Sequence, residues 1–433
     1  MPLKAGFAKI DITPHIGIKK AGWLKFDTTD VSDKILDPLY AKALVLQSEK
    51  AQIAFISLDV LSIRWTQANS IRKRIQETCG FSGANIMIAA THNHAGPATV
   101  NLGDARREEG YLQLLENGAV QAFQKALAAV QEAQLGFGHT FEWQVGFNRR
   151  IVMRDGTARM KGSFADPNSL YLEGPIDPEV GVIAVRSLNA QNMGLIVNFA
   201  CHPIHHGGDT VVSAGFPGVL AREMEKKGWP QTLFFNGACG NISYQDPTGV
   251  VPDKTMEMAG KALANDAERA IATAEYSKDL ELRCVSKSIR IPFRKITEHE
   301  VKGTTWGAQR AVEHEETSMY DRDIPRTIAK IRKKKFNLAE IQAFQLNRLV
   351  MVSIPAELFV ENGLWIKKKA YPQHALVVTH ANGMIGYVPP QEAFLHGGYE
   401  TTFAGWSRLS SKAAGLITRT AVDLLRKFPI RKG

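Results

Sequence analysis

Two clusters of histidines stand directly after strand-like segments of the chain. The first lies in the sequence THNHAGP at residues 91–97, and the second in NFACHPIHHGG at residues 198–208. On an extended backbone residues i and i+2 point to the same side, so His92 and His94 can reach one point beyond a strand end. Both rings could bind one metal ion, or one could bind it while the other donates a hydrogen bond to a substrate. A second cluster, with His202, favours a zinc ion shared between the two.

Further residues that could do chemistry lie downstream. Glu357 in IPAE offers a carboxylate at a strand-to-helix turn, Tyr387 in NGMIGYVP follows another predicted strand, and Ser243 ends the small-residue turn NGACGNIS. Small residues let backbone amides approach a ligand closely, so Ser243 could be a nucleophile or a donor. Each feature also has a structural explanation. The two histidines can be structural, Glu357 suits the first turn of a helix, Tyr387 can serve in packing, and the turn before Ser243 suits a close backbone crossing.

The elements that must position these residues alternate along the chain. Strands that alternate with helices predict an α/β fold with a mixed β-sheet core flanked by helices. The predicted strands are 41–47, 53–58, 84–90, 182–185, 194–200, 232–236, 280–291, 343–353 and 375–379, and the predicted helices are 66–78, 111–134, 217–227, 255–274, 357–369 and 409–427.

The composition is that of a folded protein with a full core. Of the 433 residues 44% are hydrophobic, and the net charge is +10. No apolar run reaches the roughly 20 residues of a transmembrane helix, and the start lacks the apolar region of a secretion signal, so we expect a cytoplasmic protein. Basic runs such as residues 330–335 lack interleaved aromatics, so we expect no nucleic-acid partner. We assign residues 1–433 to one domain, in which the polar stretch 297–337 is an insertion or a seam.

In order along residues 5–405, the chain carries motifs that resemble those of the neutral/alkaline ceramidase family of zinc amidohydrolases. They are AGFAKIDITP, DPLYAKALVL, FISLDVL, ATHNHAGP, GFNRR, NFACHP, GNIS, IPAELFV, NGMIGYVP and GGYET. The resemblance implies a zinc ion held by His92, His202, Glu357 and Tyr387. We find neither the secretion signal nor the C-terminal β-sandwich domain of the ceramidases proper, so we expect a relative of the catalytic domain alone.

The same resemblance implies roles for four further residues. It places His94 and Tyr399 beside the scissile carbonyl, assigns Arg149 to substrate binding, and matches Ser243 to the active-site serine of the family. The G-D-[VI]-S-P of the family reads GNISY here, which replaces an acid and a proline beside that serine.

We therefore predict a zinc-dependent hydrolase that cleaves an N-acyl amide bond, with Asn148 and His205 as further candidates for substrate binding. We expect His94 to carry the proton to the leaving amine. The substrate could be a lipid amide such as ceramide, a smaller amide, a peptide-like compound or an ester, and His205 could instead bind metal. Two alternatives stay open: a non-catalytic binding protein that keeps the fold, and a metal-dependent esterase or phosphoesterase, which usually needs aspartates for two metals.

Overall fold

The structure is a computed structural model that describes residues 3–26, 28–160, 162–298 and 322–429. Its α-helices are α1 (Trp65–Cys79), α2 (Glu109–Ala128), α3 (Gly215–Lys226), α4 (Met256–Ala272), α5 (Ile324–Lys333), α6 (Val360–Ala370), α7 (Ala393–His396) and α8 (Ala413–Leu425). Its strands are β1 (Lys4–Asp11), β2 (Lys34–Ile35), β3 (Tyr40–Gln47), β4 (Gln52–Leu58), β5 (Ile86–Ala90), β6 (Gln131–Phe141), β7 (Phe147–Asn148), β8 (Arg150–Met153), β9 (Ala158–Met160), β10 (Ser169–Leu172), β11 (Glu179–Ser187), β12 (Asn192–Phe199), β13 (Val211–Val212), β14 (Thr232–Asn236), β15 (Ile242–Ser243), β16 (Glu275–Ser277), β17 (Leu282–Pro292), β18 (Phe336–Leu346), β19 (Leu349–Ser353), β20 (Glu357–Leu358), β21 (His374–Val378) and β22 (Tyr387–Val388).

Two mixed sheets form the centre of the fold. The larger has the strand order β14-β12-β11-β6-β1-β3-β4-β5, with β16 also paired to β6, and the smaller has the order β17-β18-β19-β21. Most neighbours are antiparallel, but β4 and β5, β12 and β14, and β19 and β21 are parallel. The predicted α/β fold with a mixed sheet core flanked by helices is confirmed.

The two sheets pack face to face, and helices cover their outer faces. Strand β4 shows the pattern: Ile56 packs toward α1 and α2, whereas Phe55 points to the opposite face, where it lies 5.0 Å from Phe344 of β18 between ring centroids. This follows from the period of two along a strand. On the other side of the small sheet, Val352 of β19 packs with Ile417 of α8. The core therefore has four layers.

The segments that follow several strands meet at one place. The large sheet is strongly curved. Strands β4 and β14 lie near its opposite ends, yet the Ser57 hydroxyl of β4 donates a 2.8 Å hydrogen bond to the Phe234 carbonyl of β14. Beyond the strand ends, Ala90 N donates to the carbonyl of His380, and Thr379 N donates to the carbonyl of Asn236. Asn236 Nδ2 also donates to the carbonyl of Cys201 after β12 (2.9 Å). The ends of β5, β12, β14 and β21 are thus brought together from distant parts of the sequence.

Two predictions of secondary structure were wrong in part. The helix predicted over 111–134 ends at Ala128, and the chain then forms β6. Strand pairing explains the difference, because β6 pairs with β11 over nine residue pairs and outweighs the helix propensity of Gln131 and Glu132. Residues 343–353 belong to two strands, since Asn347 takes a φ of +57° at the turn between β18 and β19.

Glu357 corrects a third expectation. It does not lie in the first turn of a helix: it belongs to β20, and α6 begins at Val360. Of the polar stretch 297–337, residues 299–321 lie outside the described residues, and α5 and the start of β18 account for most of the remainder. The assignment to a single domain stays a prediction. Within the described ranges, no helix combines the length and the apolar character needed to cross a bilayer.

Candidate metal centre

The turn after β5 fixes His92 and His94. His92 has a φ of +65°, a left-handed conformation that is uncommon outside glycine. Hydrogen bonds from Thr91 N to the Leu58 carbonyl (2.9 Å) and from Asn93 N to the Val60 carbonyl (3.2 Å) hold the backbone on either side. The surroundings thus hold His92 in this strained backbone conformation.

The backbone also fixes which nitrogen of each ring carries a proton. Nδ1 of His92 lies 2.9 Å from the Leu61 carbonyl oxygen, that of His94 lies 2.6 Å from the Gly22 carbonyl oxygen, and that of His202 lies 2.6 Å from the Cys239 carbonyl oxygen. A carbonyl oxygen only accepts, so Nδ1 must carry the proton in each ring. In the neutral imidazole Nε2 is then an unprotonated acceptor, which is the form that binds a metal.

These acceptors face one another. His92 Nε2 lies 3.2 Å from His94 Nε2, His202 Nε2 lies 3.3 Å from Glu357 Oε2, and His92 Nε2 lies 3.6 Å from Glu357 Oε2. Ligands bound to one tetrahedral zinc at 2.0–2.1 Å would stand about 3.3 Å apart. Nitrogen and carboxylate donors at this spacing therefore fit a zinc ion, which would remove the repulsion between their lone pairs.

The direction of the pKa shifts supports neutral rings. Burial lowers the pKa of His202 to about 4, and it lowers the pKa of His94 well below its usual value. Burial opposes ionisation of Glu357, and unprotonated Nε2 atoms of His202 and His92 give its carboxylate no donor, so a cation is the group that would stabilise its charge. The site thus offers neutral imidazoles and one negative charge, a set of donors that suits a divalent cation.

A short parallel ladder places Glu357 beside Tyr387. These two residues are partners in the pairing of β20 with β22, and Glu357 N donates to the Gly386 carbonyl (3.1 Å). Gly386 has a φ of +98°, and a Cβ at this position would collide with the carbonyl oxygen of Trp406. Glycine is therefore required immediately before the tyrosine.

Arg149 is committed to contacts within the protein. Its guanidinium donates to the Tyr387 hydroxyl (3.0 Å), the Gly240 carbonyl (2.9 Å) and Glu400 Oε1 (2.8 Å). Burial raises the pKa of Tyr387 well above its ordinary value, and the Arg149 charge acts in the opposite direction. The Tyr399 ring meets the Tyr387 ring edge to face, with centroids 5.7 Å apart. Arg149 and Tyr399 thus both contact Tyr387.

Ser243 lies in β15, and its buried Oγ has no hydrogen-bond partner among the described residues. Asn241, which stands in place of the acid of the family motif, has a structural role here. Its Oδ1 accepts from Val360 N at the start of α6 (2.9 Å), and its Nδ2 donates to the Glu361 carboxylate (3.0 Å). An aspartate could accept from Val360 N but would repel Glu361, so the amide suits this helix start.

Two other predicted residues have contacts of their own outside the convergent set. The Asn148 side chain is buried, with Nδ2 donating to the Pro175 carbonyl (3.0 Å) and Oδ1 accepting from Arg150 N (3.1 Å). His205 has its Nε2 3.0 Å from the Lys254 carbonyl oxygen, and its ring stacks on Tyr244 at 4.1 Å. Their roles in substrate binding stay predictions.

The sequence analysis missed His380. Its ring is fully buried and stacks on His92, with centroids 3.8 Å apart and planes at 19°. It groups with His92 and Glu357 as a possible metal ligand. Its position directly after a predicted strand, like that of the first histidine cluster, was the available signal.

Comparison with known proteins decides the family. The family model described as neutral/alkaline non-lysosomal ceramidase, N-terminal, matches residues 3–238. The chain belongs to this family. The resemblance to the neutral/alkaline ceramidase family, which we inferred from the sequence motifs, is thereby confirmed.

Two curated proteins illustrate the similarity in sequence. The chain is 23% identical to the neutral ceramidase of Pseudomonas aeruginosa over 217 residues, which are 47% of this chain and 30% of the relative. It is 26% identical to neutral ceramidase B of Dictyostelium discoideum over 176 residues, which are 37% of this chain and 23% of the relative. The aligned part therefore spans less than a third of either relative.

Solved structures extend the likeness in fold to the whole chain. The crystal structure of neutral ceramidase from Pseudomonas aeruginosa matches with a TM-score of 0.75 at 19% identity, and covers 100% of this chain and 76% of that one. A ceramidase in complex with C2 matches with a TM-score of 0.74 at 18% identity, and covers 100% and 77%. The mixed α/β architecture is that of the neutral ceramidases.

Proposed function

We propose that this chain is a zinc-dependent hydrolase that cleaves an N-acyl amide bond. The observation that carries the proposal is the convergence of the His92 and His202 Nε2 atoms on the Glu357 carboxylate, with the Nδ1 proton of each ring held by a backbone carbonyl. Membership of the ceramidase family supports amide hydrolysis as the reaction. The residues proposed to hold zinc are His92, His202, Glu357 and Tyr387.

Zinc bound at this centre would supply a Lewis acid and a water nucleophile that is active near neutral pH. The protein supplies proton transfer. His94 is half-buried, more open than His92 and His202, and its Nδ1 is anchored to the Gly22 carbonyl. Its Nε2 can therefore accept a proton from water and pass it to the leaving amine.

Negative charge develops on the former carbonyl oxygen during hydrolysis. The hydroxyl of the half-buried Tyr399 is the donor we propose for this oxygen. One such donor contributes about 3 kcal/mol. Arg149, which donates to Tyr387 and Glu400, is better suited to holding Tyr387 than to binding substrate. Ser243 remains a candidate donor because its Oγ has no other partner among the described residues.

The test is zinc analysis of the purified protein together with amine release from N-acyl substrates, ranging from short-chain amino acid amides to ceramide. We expect about one zinc per chain and hydrolysis that chelation abolishes and added zinc restores. The preferred acyl length would identify the substrate class. A protein that neither binds zinc nor turns over any substrate after zinc is added would leave the binding-protein alternative.

His202→Ala is the sharpest single variant. It removes one nitrogen donor, so we expect loss of zinc and a fall in kcat/KM of at least about 10³, with little change in the melting temperature measured without metal. His15→Ala, which changes an exposed histidine far from the centre in sequence, is the control and should retain both. Full zinc content in His202→Ala would contradict the assignment.

A further inference from the structure

We propose that Arg408 and Lys330 form a binding site for an oxyanion of the phosphate class, between α5 and the turn at residues 404–407. The site is separate from the candidate metal centre, and it does not depend on the proposed hydrolase function. Free phosphate and the phosphate headgroup of a lipid present the same oxygens to such a site, and experiment can distinguish the two sources.

A short turn fixes the backbone at Arg408. Ala404 and Ser407 pair across this turn, with Ser407 N donating to the Ala404 carbonyl (3.1 Å). The Arg408 carbonyl accepts from Arg294 N (3.1 Å) on a neighbouring segment. Arg408 itself is buried, with 8% of its surface exposed. The position of this guanidinium is therefore set by the fold.

The turn packs against one side of α5 and of the residue before it. A Cβ added at Gly405 would lie 3.3 Å from Asp323 Oδ1 and 3.5 Å from Thr327 Oγ1, and Gly405 N donates to Asp323 Oδ2 (2.9 Å). Arg408 Nη1 donates to the Gly405 carbonyl oxygen. Residues that follow each other at helical spacings of four and three, as Asp323, Thr327 and Lys330 do, share one side of a helix. Lys330 thus lies on the side of α5 that faces this turn.

Arg408 lacks the partners that a buried guanidinium normally has. Within the described ranges, the one side-chain hydrogen bond of Arg408 is that from Nη1 to Gly405, and its Nε has no partner. Burial lowers the pKa of Arg408 to about 10, although the charge of Asp323 acts in the opposite direction. Buried donors without a protein partner are uncommon, and a bound ion or water is the usual explanation.

A surplus of positive charge favours an ion. The charge of Arg408 is the main cause that lowers the pKa of Lys330 to about 8, and Lys334 acts in the same direction. In the part of the chain that the structure describes, neither lysine side chain has an ion pair or a hydrogen bond. Arg326 of the same helix, by contrast, pairs with Asp104 at 3.3 Å. Water can accept from the Arg408 guanidinium, but only an anion offsets the charge of these groups.

The chemistry of the two cations indicates the class of anion. The planar guanidinium of Arg408 presents donors that match two oxygens of a phosphate, and the Lys330 ammonium acts as a point charge on a further oxygen. Arg408 would form the floor of the site, whereas Lys330 and Lys334 are exposed and would form its rim. The site also adjoins the candidate metal centre, because the Trp406 carbonyl accepts from Tyr387 N (2.8 Å).

The test measures binding of inorganic phosphate by isothermal titration calorimetry. Lys330→Gln changes an exposed side chain and should fold normally, but we expect it to bind phosphate about tenfold more weakly or worse. Lys330→Arg keeps the charge and should retain binding. Arg332→Gln is the matched control, because Arg332 is exposed and lies about half a turn of α5 away from Asp323 and Lys330. Equal affinity of Lys330→Gln and wild type, or an equal loss in Arg332→Gln, would overturn the inference.

Flotation with lipid vesicles identifies the source of the phosphate. Vesicles of phosphatidylcholine are compared with vesicles that also contain phosphatidic acid. Retention on the second kind that Lys330→Gln loses and Arg332→Gln keeps would assign a lipid headgroup. Binding of inorganic phosphate without such retention would assign a soluble ligand. A wild type that binds neither probe would overturn the inference.

His202→Ala separates this site from the candidate metal centre. Phosphate bound to a metal there would be lost in His202→Ala and kept in Lys330→Gln. We expect the opposite pattern, in which His202→Ala binds phosphate as the wild type does. Loss of phosphate binding in His202→Ala alone would place the anion at the metal and contradict the Arg408 site. A wild type that binds phosphate at Arg408 but holds no zinc would contradict the proposed function alone.

Discussion

At the scale of single residues, the Tyr387 hydroxyl, which we propose as a zinc ligand, belongs to a buried network of charges. The Tyr387 hydroxyl accepts from Arg149, and Arg149 pairs with Glu400. Glu400 also pairs with Arg150 at 2.6 Å, and Arg150 in turn contacts Glu173. Buried ion pairs are costly when one partner is removed, so the network keeps Arg149 in place. Arg149 in turn fixes the direction of the Tyr387 hydroxyl.

Tyr387→Phe tests this arrangement with a minimal change. The ring and its packing remain, but Arg149 loses one acceptor and the centre loses one oxygen donor. We expect kcat/KM to fall by about 10²–10³ and zinc affinity to fall as well. Tyr371→Phe, at a residue with 84% of its surface exposed, is the matched control. Full activity and unchanged zinc affinity in Tyr387→Phe would show that the Tyr387 hydroxyl does not bind the zinc.

At the scale of elements, the sequence predicts features that depend on local patterns but not those that depend on contacts between distant segments. The turn after β5 was predictable, because the alternation of a buried strand and the spacing of His92 and His94 are local. The stacking of His380 on His92 was not, since it needs β21 beside β5 from opposite ends of the chain. Glu357 was a candidate from its carboxylate at a strand-to-helix turn, but only the family motifs assigned it to the zinc, because its sequence neighbourhood also suited a helix start.

Strand β22 offers a test of element placement. Gly386→Ala would force a Cβ against the Trp406 carbonyl and so displace β22 from β20. We expect a drop in melting temperature and a larger than tenfold loss of zinc affinity, because Tyr387 moves away from Glu357. Gly156→Ala is the control: Gly156 has a similar positive φ of +82° but open space around its Cβ position.

That control separates backbone strain from displacement. Alanine at a left-handed position costs roughly 1–2 kcal/mol without any clash. Gly156→Ala should therefore lose a little stability and no zinc. Equal behaviour of the two variants would mean that the placement of β22 does not depend on the close approach to Trp406.

At the scale of the whole molecule, an ion cluster links the two sheets. Glu179 of β11 belongs to the large sheet, and it contacts His374 of β21 in the small sheet. Lys367 of α6 lies 2.7 Å from Glu179 and 2.6 Å from Asp177. Burial opposes ionisation of Glu179, but the hydrogen bond to His374 and the charge of Lys367 lower its pKa to about 2.

Because of this pKa, the stability that the ion cluster contributes between the two sheets depends on pH. A carboxyl whose pKa falls from 4.5 in the unfolded chain to about 2 in the fold stabilises the fold above pH 4.5, and this stability is lost as pH falls toward 2. The full shift corresponds to about 3 kcal/mol. Glu179→Gln should therefore lower the urea midpoint clearly at pH 7, and the difference from wild type should shrink between pH 4.5 and pH 2. A difference that stays constant over that range would show that the contribution of Glu179 comes from packing and not from its charge.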